Sequence, residues 1–555
     1  MTQPAPDPAQ TARTVDAAAE ARPPVPFHRR KLFWVALLYF SEGLPLGIFY
    51  DIFPVYFRQQ GVELGQIGLL SLLGLAWTVK FLWAPAIDWT RRHRWWIAAA
   101  NLGMALVMWL FAGALGFGPW VWVAIGIFTM LSATNDIATD GYTIELLDKR
   151  EYGLANGLRI GFYRVGMLAA GVVLMVSGWS GWSGAFLLGG AVFVLNALAV
   201  LAAPREAVRE RPPAGGAARE LAMLREQPLW LLALALVVLG LLWPALLVLV
   251  EKMVLMSGGA RPEFSGWMKA FAPVCLMFAG AGLLVHAAQG PRAAAMRQGP
   301  VFGAWVELLA RPGMLAMLLF ILLFKLGDAA MGFMVKPFWV DAGFSNQQIG
   351  LVSVMFGLAL SIAGGLLGGW YVDRAGIFKG LWVLGLWQAV SNLAYALAAW
   401  QVDRMAAQGL GPSASMSGQF SAWWQAASAA GAGEWLSQGQ ALLGLAGRSL
   451  AAVNGVDLSV YGASALESFT GGLGTGAFLA FLMALTHRAR ATTEYAILSS
   501  IFAFSRAVAG WAGGVGAQEM GFAAYFFLTF WLSFPAYLLL PQVRRMLEQQ
   551  DRREI

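Results

Sequence analysis

Asp136 and Asp140, four residues apart, and Arg159 and Arg164, five apart, occupy one polar stretch, LSATNDIATDGYTIELLDKREYGLANGLRIGFYR, at 131–164. Carboxylates at i and i+4 share a helix face. Two such neighbours resist being ionised together, and a cation on an adjoining helix can hold one of them charged. That is the chemistry of taking up and releasing a proton. The hydrophobic runs on either side, 119–131 and 165–176, are each too short to cross a bilayer, which takes about 20 apolar residues. Both spans must therefore extend into the polar stretch. The aspartates are predicted on one spanning helix and the arginines on the next, with 148–151 as the turn. A charge at such depth costs at least ~2.5–3.5 kcal/mol and needs a polar surrounding. Two readings stand: a buried structural ion cluster, or part of a substrate or proton pathway.

Other charges inside apolar segments favour the pathway. The acids are Glu42, Asp51, Asp136, Asp140, Asp328 and Glu467, and the bases Lys80, Arg159, Arg164, Lys325, Lys336 and Arg506. The lists are equal in length, so pairing can lower the insertion cost of both members. Lys325 and Asp328 lie three apart and can pair locally. Glu42 stands in Ser41-Glu42-Gly43-Leu44-Pro45, where Pro removes a donor and Gly loosens the helix. Helices broken at mid-membrane are where transporters place binding sites. For proton coupling the reading favours Asp136 and Asp140 with Arg164, then Glu42 and Asp328. For a charged cargo it favours Lys80, Lys325 and Arg506, with Tyr39, Arg159, Arg164 and Glu467 completing the binding set. Tyr39, Tyr50 and Tyr163 are as readily ordinary packing aromatics.

The elements that must position these residues follow from composition. The chain is 58% hydrophobic and 12% charged, with 65 Gly and 25 Trp, against about 25% charged residues in soluble domains. Its mean hydropathy is +0.61. This is a polytopic, all-α membrane protein. A single Cys275 rules out a disulfide framework, and four His without an HExxH pattern give no metal site. No nucleophile–base constellation and no GxxxxGK[ST] motif appears, so neither an enzyme nor an ATP-driven pump is expected, and no cofactor. Residues 1–27 are Ala- and Pro-rich, read as a disordered cytoplasmic segment rather than a signal peptide.

Fourteen spans are expected, at 31–57, 66–87, 96–115, 119–142, 153–178, 182–203, 229–253, 266–287, 313–338, 346–370, 378–400, 461–486, 494–516 and 521–541. Lys and Arg concentrate in the segments that share a side with the N-terminus, which places both termini in the cytoplasm. The formal charge of +7 is thereby a topology signal and not a nucleic-acid footprint. Gln66-Ile67-Gly68-Leu69-Leu70-Ser71 recurs as Gln348-Ile349-Gly350-Leu351-Val352-Ser353, a shift of 282 residues, and Phe162-Tyr163-Arg164 recurs as Phe504-Ser505-Arg506, a shift of 342. The difference locates an insertion at 401–460, read as short amphipathic helices on the periplasmic surface. Two six-helix halves, 28–203 and 313–541, with two extra helices inside 204–312 and a tail at 542–555, form the major facilitator pattern. Asp88-Trp89-Thr90-Arg91-Arg92 and Asp373-Arg374-Ala375-Gly376 resemble the loop signature of that superfamily; the resemblance implies a conformational gate at Asp88, Arg91, Arg92, Asp373 and Arg374, and the alternative is simple positive-inside anchors.

Several segments together resemble the AmpG-type muropeptide permeases. They are Glu42-Gly43-Leu44-Pro45-Leu46, Lys80-Phe81-Leu82-Trp83-Ala84-Pro85, Ala133-Thr134-Asn135-Asp136-Ile137-Ala138-Thr139-Asp140, Tyr163-Arg164-Val165-Gly166-Met167, Lys325-Leu326-Gly327-Asp328-Ala329 and Glu467-Ser468-Phe469-Thr470-Gly471-Gly472. Glu42, Asn135 and the length of 401–460 depart from that family's pattern. The resemblance implies a monomeric inner-membrane symporter importing anhydro-muropeptides with protons for cell-wall recycling, with β-lactamase induction downstream. Composition and spacing alone leave open another bulky anionic solute, such as an acyl-CoA or a peptide, or a non-transporting receptor.

Overall fold

A computed structural model describes residues 31–80, 83–84, 87, 90, 92–146, 152–205, 222, 225–260, 262–290, 293, 303–412, 454–485 and 491–554. The expectations for 1–27, for Asp88 and Arg91, for the 148–151 turn and for most of the insertion (413–453) fall outside these residues. Among the described residues there are helices and no strand.

The N-terminal set comprises α1 (Lys31–Gly47), a π-helical turn (Ile48–Ile52), α2 (Phe53–Gln59), α3 (Leu64–Leu70), α4 (Leu75–Val79), α5 (His93–Gly113), α6 (Pro119–Leu146) and α7 (Tyr152–Leu201). Then come α8 (Pro228–Met256), α9 (Gly266–Gln289) and α10 (Gly303–Leu309). The C-terminal set has α11 (Met314–Phe324), α12 (Leu326–Asp341), α13 (Asn346–Gln348), a π-helix (Ile349–Phe356), α14 (Gly357–Ala375), α15 (Ile377–Ala406), α16 (Gly455–Ala484), α17 (Ala491–Met520), α18 (Phe522–Leu532) and α19 (Leu540–Glu554).

Among the described residues, ten helices are long and apolar enough to cross a membrane. Where they are described, the fourteen expected segments are largely helical. Gly161–Leu201 counts as one stretch, although Gly181, at φ 73 and ψ 176, breaks α7 into two helices. Leu64–Val79 is apolar but short, whereas α8, Pro228–Met256, is 29 residues long and so has the length of a span.

The break expected around Gly43 and Pro45 is displaced. Helix α1 runs through Pro45 and becomes π-helical only at Ile48–Ile52. Proline lacks the N–H that would bond to the carbonyl four residues earlier. That carbonyl, of Ser41, instead accepts from Asn135 Nδ2 at 3.2 Å. A neighbouring helix thus satisfies the orphaned group, as membrane helices require. In the C-terminal set the helix breaks at Lys325, with φ −103 and ψ 12, between α11 and α12.

The sequence repeat has a direct structural meaning. Gly68 on α3 packs against α17, where a Cβ would lie 2.7 Å from the Cα of Gly514. Gly350, its repeat partner, packs against α7, where a Cβ would lie 2.9 Å from the Gly171 carbonyl oxygen. Each set therefore leans its repeat glycine on the other set, and only a missing side chain permits so close an approach. Helices α8 and α9 pack on each other, and α9 also touches α10 and α11.

Candidate functional site

The membrane charges form two groups. The first lies within the N-terminal set. Asp136 and Asp140 share a face of α6, as their spacing predicts, and each has its own cation. Lys80, at the end of α4, approaches Asp136 to 3.5 Å. Arg159 on α7 pairs with Asp140 at 3.2 Å. Tyr39 on α1 donates its hydroxyl to Asp140 at 3.1 Å, and the Arg159 guanidinium lies 5.1 Å above the Tyr39 ring. Glu42, one turn beyond Tyr39, is only 7% exposed. It sits among Asp136, Asp140, Lys80 and Arg159, yet its Oε2 has no hydrogen-bond partner among the described residues. Three carboxylates thus share two cations. The helices are held in register by amides: Asn101 donates to Asn135 at 2.9 Å and accepts from Ser41 at 3.2 Å.

The second group lines a cavity of about 360 Å³ between the two sets. Tyr50, Asp51, Tyr163 and Arg164 come from the N-terminal set. Lys325, Asp328, Lys336, Ser361, Glu467 and Arg506 come from the C-terminal one. Lys325 pairs with Asp328 at 3.1 Å, as expected of residues three apart, and donates to Thr475 at 2.9 Å. Lys336 donates to Ser353 at 2.6 Å and pairs across the sets with Asp51 at 3.4 Å. Glu467 accepts from Ser468 at 3.2 Å. Among the described residues, none of α8 or α9 lines the cavity.

These positions revise two expectations. Arg164, expected to serve the aspartate pair, lies in the cavity instead. Five helical residues rotate a side chain by about 140° from the first, so Arg159 and Arg164 cannot face one partner. Tyr39, Lys80 and Arg159, expected to bind cargo, are bound up in the first group and do not line the cavity. Asp51 and Lys336 were legible as membrane charges, but their pairing was not, because their separation in sequence is 285 residues. Ser361 carried no signal beyond its residue type, and Tyr50 only its nearness to the charges in sequence.

Of the expected gate, Arg92 is exposed just before α5. Asp373 and Arg374 are exposed near the end of α14, the guanidinium 4.2 Å from the Trp370 ring centroid. On the opposite face of the molecule, at the Gln59 end of α2, polar contacts join the two sets. Arg58 makes two bonds to Asp341, at 2.5 and 2.6 Å. Gln59 donates to Asn346 at 2.6 Å, and Asn346 donates to Ser177 at 2.6 Å. The Gly65 amide donates to Gln518 at 2.8 Å. These contacts bridge the two sets on this face.

Comparison with known proteins agrees in fold and kinship. No family model matches the chain. An anhydromuropeptide permease of Escherichia coli K12 is 24% identical over 526 residues, covering 92% of this chain and 79% of that one. A Rickettsia conorii protein bearing the name AmpG 4 is 21% identical, covering 93% and 96%. Two solved POT family transporters align at TM-scores of 0.59 and 0.57, with 12% and 13% identity, each over 94% of this chain. At that identity they speak for the fold alone. This multi-pass chain is a homologue of the AmpG-type permeases, built on the major facilitator fold, and is a transporter rather than an enzyme.

Proposed function

We propose that this protein imports anhydro-muropeptides across the bacterial inner membrane together with protons, as a monomer with both termini in the cytoplasm. The observation that carries the reading is the charged cavity to which both helix sets contribute. A bulky zwitterionic or anionic sugar-peptide needs such a surface, and buried charge has too high an insertion cost to be retained idle. The match over most of the E. coli permease's length supports the cargo class. Residues 28–203 and 313–541 are the two moving halves, 204–312 a peripheral linker, and 401–460 a periplasmic insertion. The latch at Arg58 and Asp341 closes the periplasmic side, while Asp88, Arg91, Arg92, Asp373 and Arg374 gate the cytoplasmic side.

Coupling falls to the N-terminal group. Among Asp136, Asp140, Glu42 and Asp328, only Glu42 has neither a cation nor a hydrogen-bond partner for one oxygen. A proton on Glu42 balances the cluster at two carboxylates against two cations. Lys325, Arg164, Arg506 and Glu467 meet the cargo. The test is uptake of radiolabelled anhydro-muropeptide into proteoliposomes with the lumen alkaline. Accumulation that collapses when the gradient is dissipated supports the reading. Uptake indifferent to the gradient removes the coupling, and uptake of an acyl-CoA or a plain peptide in its place removes the cargo.

A further inference from the structure

Arg164 and Arg506 are each held by the opposite helix set. Arg164, on α7, donates to Ser361 Oγ on α14 at 3.3 Å. Arg506, on α17, lies 4.6 Å from the centroid of the Tyr50 ring on the N-terminal side. Both line the same cavity. The carboxylates nearby are otherwise engaged. Asp51 holds Lys336 and Asp328 holds Lys325, while Glu467 accepts from Ser468. Neither arginine has an ion-pair partner among the described residues. They also occupy repeat-related positions, in Phe162-Tyr163-Arg164 and Phe504-Ser505-Arg506.

Two guanidiniums brought together in a half-buried space repel unless an anion lies between them. A fork of N–H donors matches the two oxygens of a carboxylate, or two of a phosphate, better than any other common group. Ser361 and the Tyr50 face aim the forks without neutralising them. We infer that Arg164 and Arg506 form one oxyanion clamp spanning the two sets, closed by a carboxylate or phosphate of the cargo. One anion then bridges both sets, so its arrival ties their relative position to occupancy. The inference deepens the transport reading and rests on it only for the cargo's identity.

Purified full-length protein in detergent provides the test, by its unfolding temperature at constant ionic strength. The probes are inorganic phosphate, malonate and neutral malonamide, each against sodium chloride. The clamp predicts a rise of about 2–4 °C with phosphate or malonate and none with malonamide. R164Q, R506Q and the double variant should each lose the rise completely, because one anion needs both forks. R164K should keep only part of it, since an ammonium supplies charge without the planar fork. The stronger of phosphate and malonate identifies the anionic group. No oxyanion-dependent rise in the parent protein, or a rise that survives in R164Q or R506Q, overturns the clamp. Loss of muropeptide uptake with the rise intact leaves the clamp standing and removes only the cargo.

Discussion

Asp51 and Lys336 form an ion pair across the two helix sets, Oδ1 to Nζ 3.4 Å. Their side chains are 15% and 10% exposed. Asp51 sits in the π-helical turn that follows α1, and Lys336 precedes Pro337 on α12. Removing one member of a buried pair strands the other, at a cost of about 3–5 kcal/mol. D51N is therefore expected to lower the unfolding temperature sharply, and D51N with K336M to recover most of the loss. Thermal unfolding in detergent checks this. Equal stability of the single and double variants would show that the pair contributes little.

Glu42 and Asp136 separate coupling from architecture. E42Q mimics the protonated form of a group that has no cation of its own. It is expected to leave stability unchanged and to retain substrate counterflow while abolishing accumulation driven by a pH gradient. D136N deprives Lys80 of its counterion and should lower stability as well. Counterflow and uphill uptake, measured on the same vesicles, distinguish the two. Gradient-driven accumulation by E42Q at the parent rate would return the coupling role to another carboxyl.

The latch proposed at Arg58 and Asp341 should be separable from transport chemistry. Gln59 and Asn346 are hydrogen-bonded across it at 2.6 Å. Cysteines at both positions, in a background with Cys275→Ser, are expected to form a disulfide that stops uptake. Reductant should restore it. Continued uptake by the oxidised protein, with the cross-link verified by mass, would mean that this face does not open during the cycle.

Gly350 and Gly68 test the repeat contact. Gly350→Leu has no room against Gly171 and Met175 on α7. Overpacking of this kind costs about 1–3 kcal/mol, and here it also pries the sets apart. Uptake should fall at least tenfold in either G350L or G68L. Gly332 lines the cavity with open space where a Cβ would go, so G332A is expected to keep the parent's stability. Wild-type uptake by G68L or G350L would show that the close approach is dispensable.

Composition and the depth of its charges determined that this chain is a helical membrane protein, since 58% hydrophobic residues leave no soluble alternative. The i, i+4 spacing placed Asp136 with Asp140, and the i, i+3 spacing placed Lys325 with Asp328, because helix geometry brings near residues onto one face. The repeated Gln-Ile-Gly segments pointed to two related sets. Local rules of this kind reach about one helical turn. Which cation each carboxylate holds was beyond them: the tertiary fold gave Asp136 to Lys80, Asp140 to Arg159, and Asp51 to Lys336. It also moved Arg164 from the aspartates into the cavity, where Ser361 from the other set holds it. The position of the helix break, at Ile48–Ile52 rather than Pro45, likewise depended on Asn135 arriving from α6 to satisfy Ser41. Pairing between residues hundreds of positions apart is set by how helices pack, and periodicity within one helix contains no record of it.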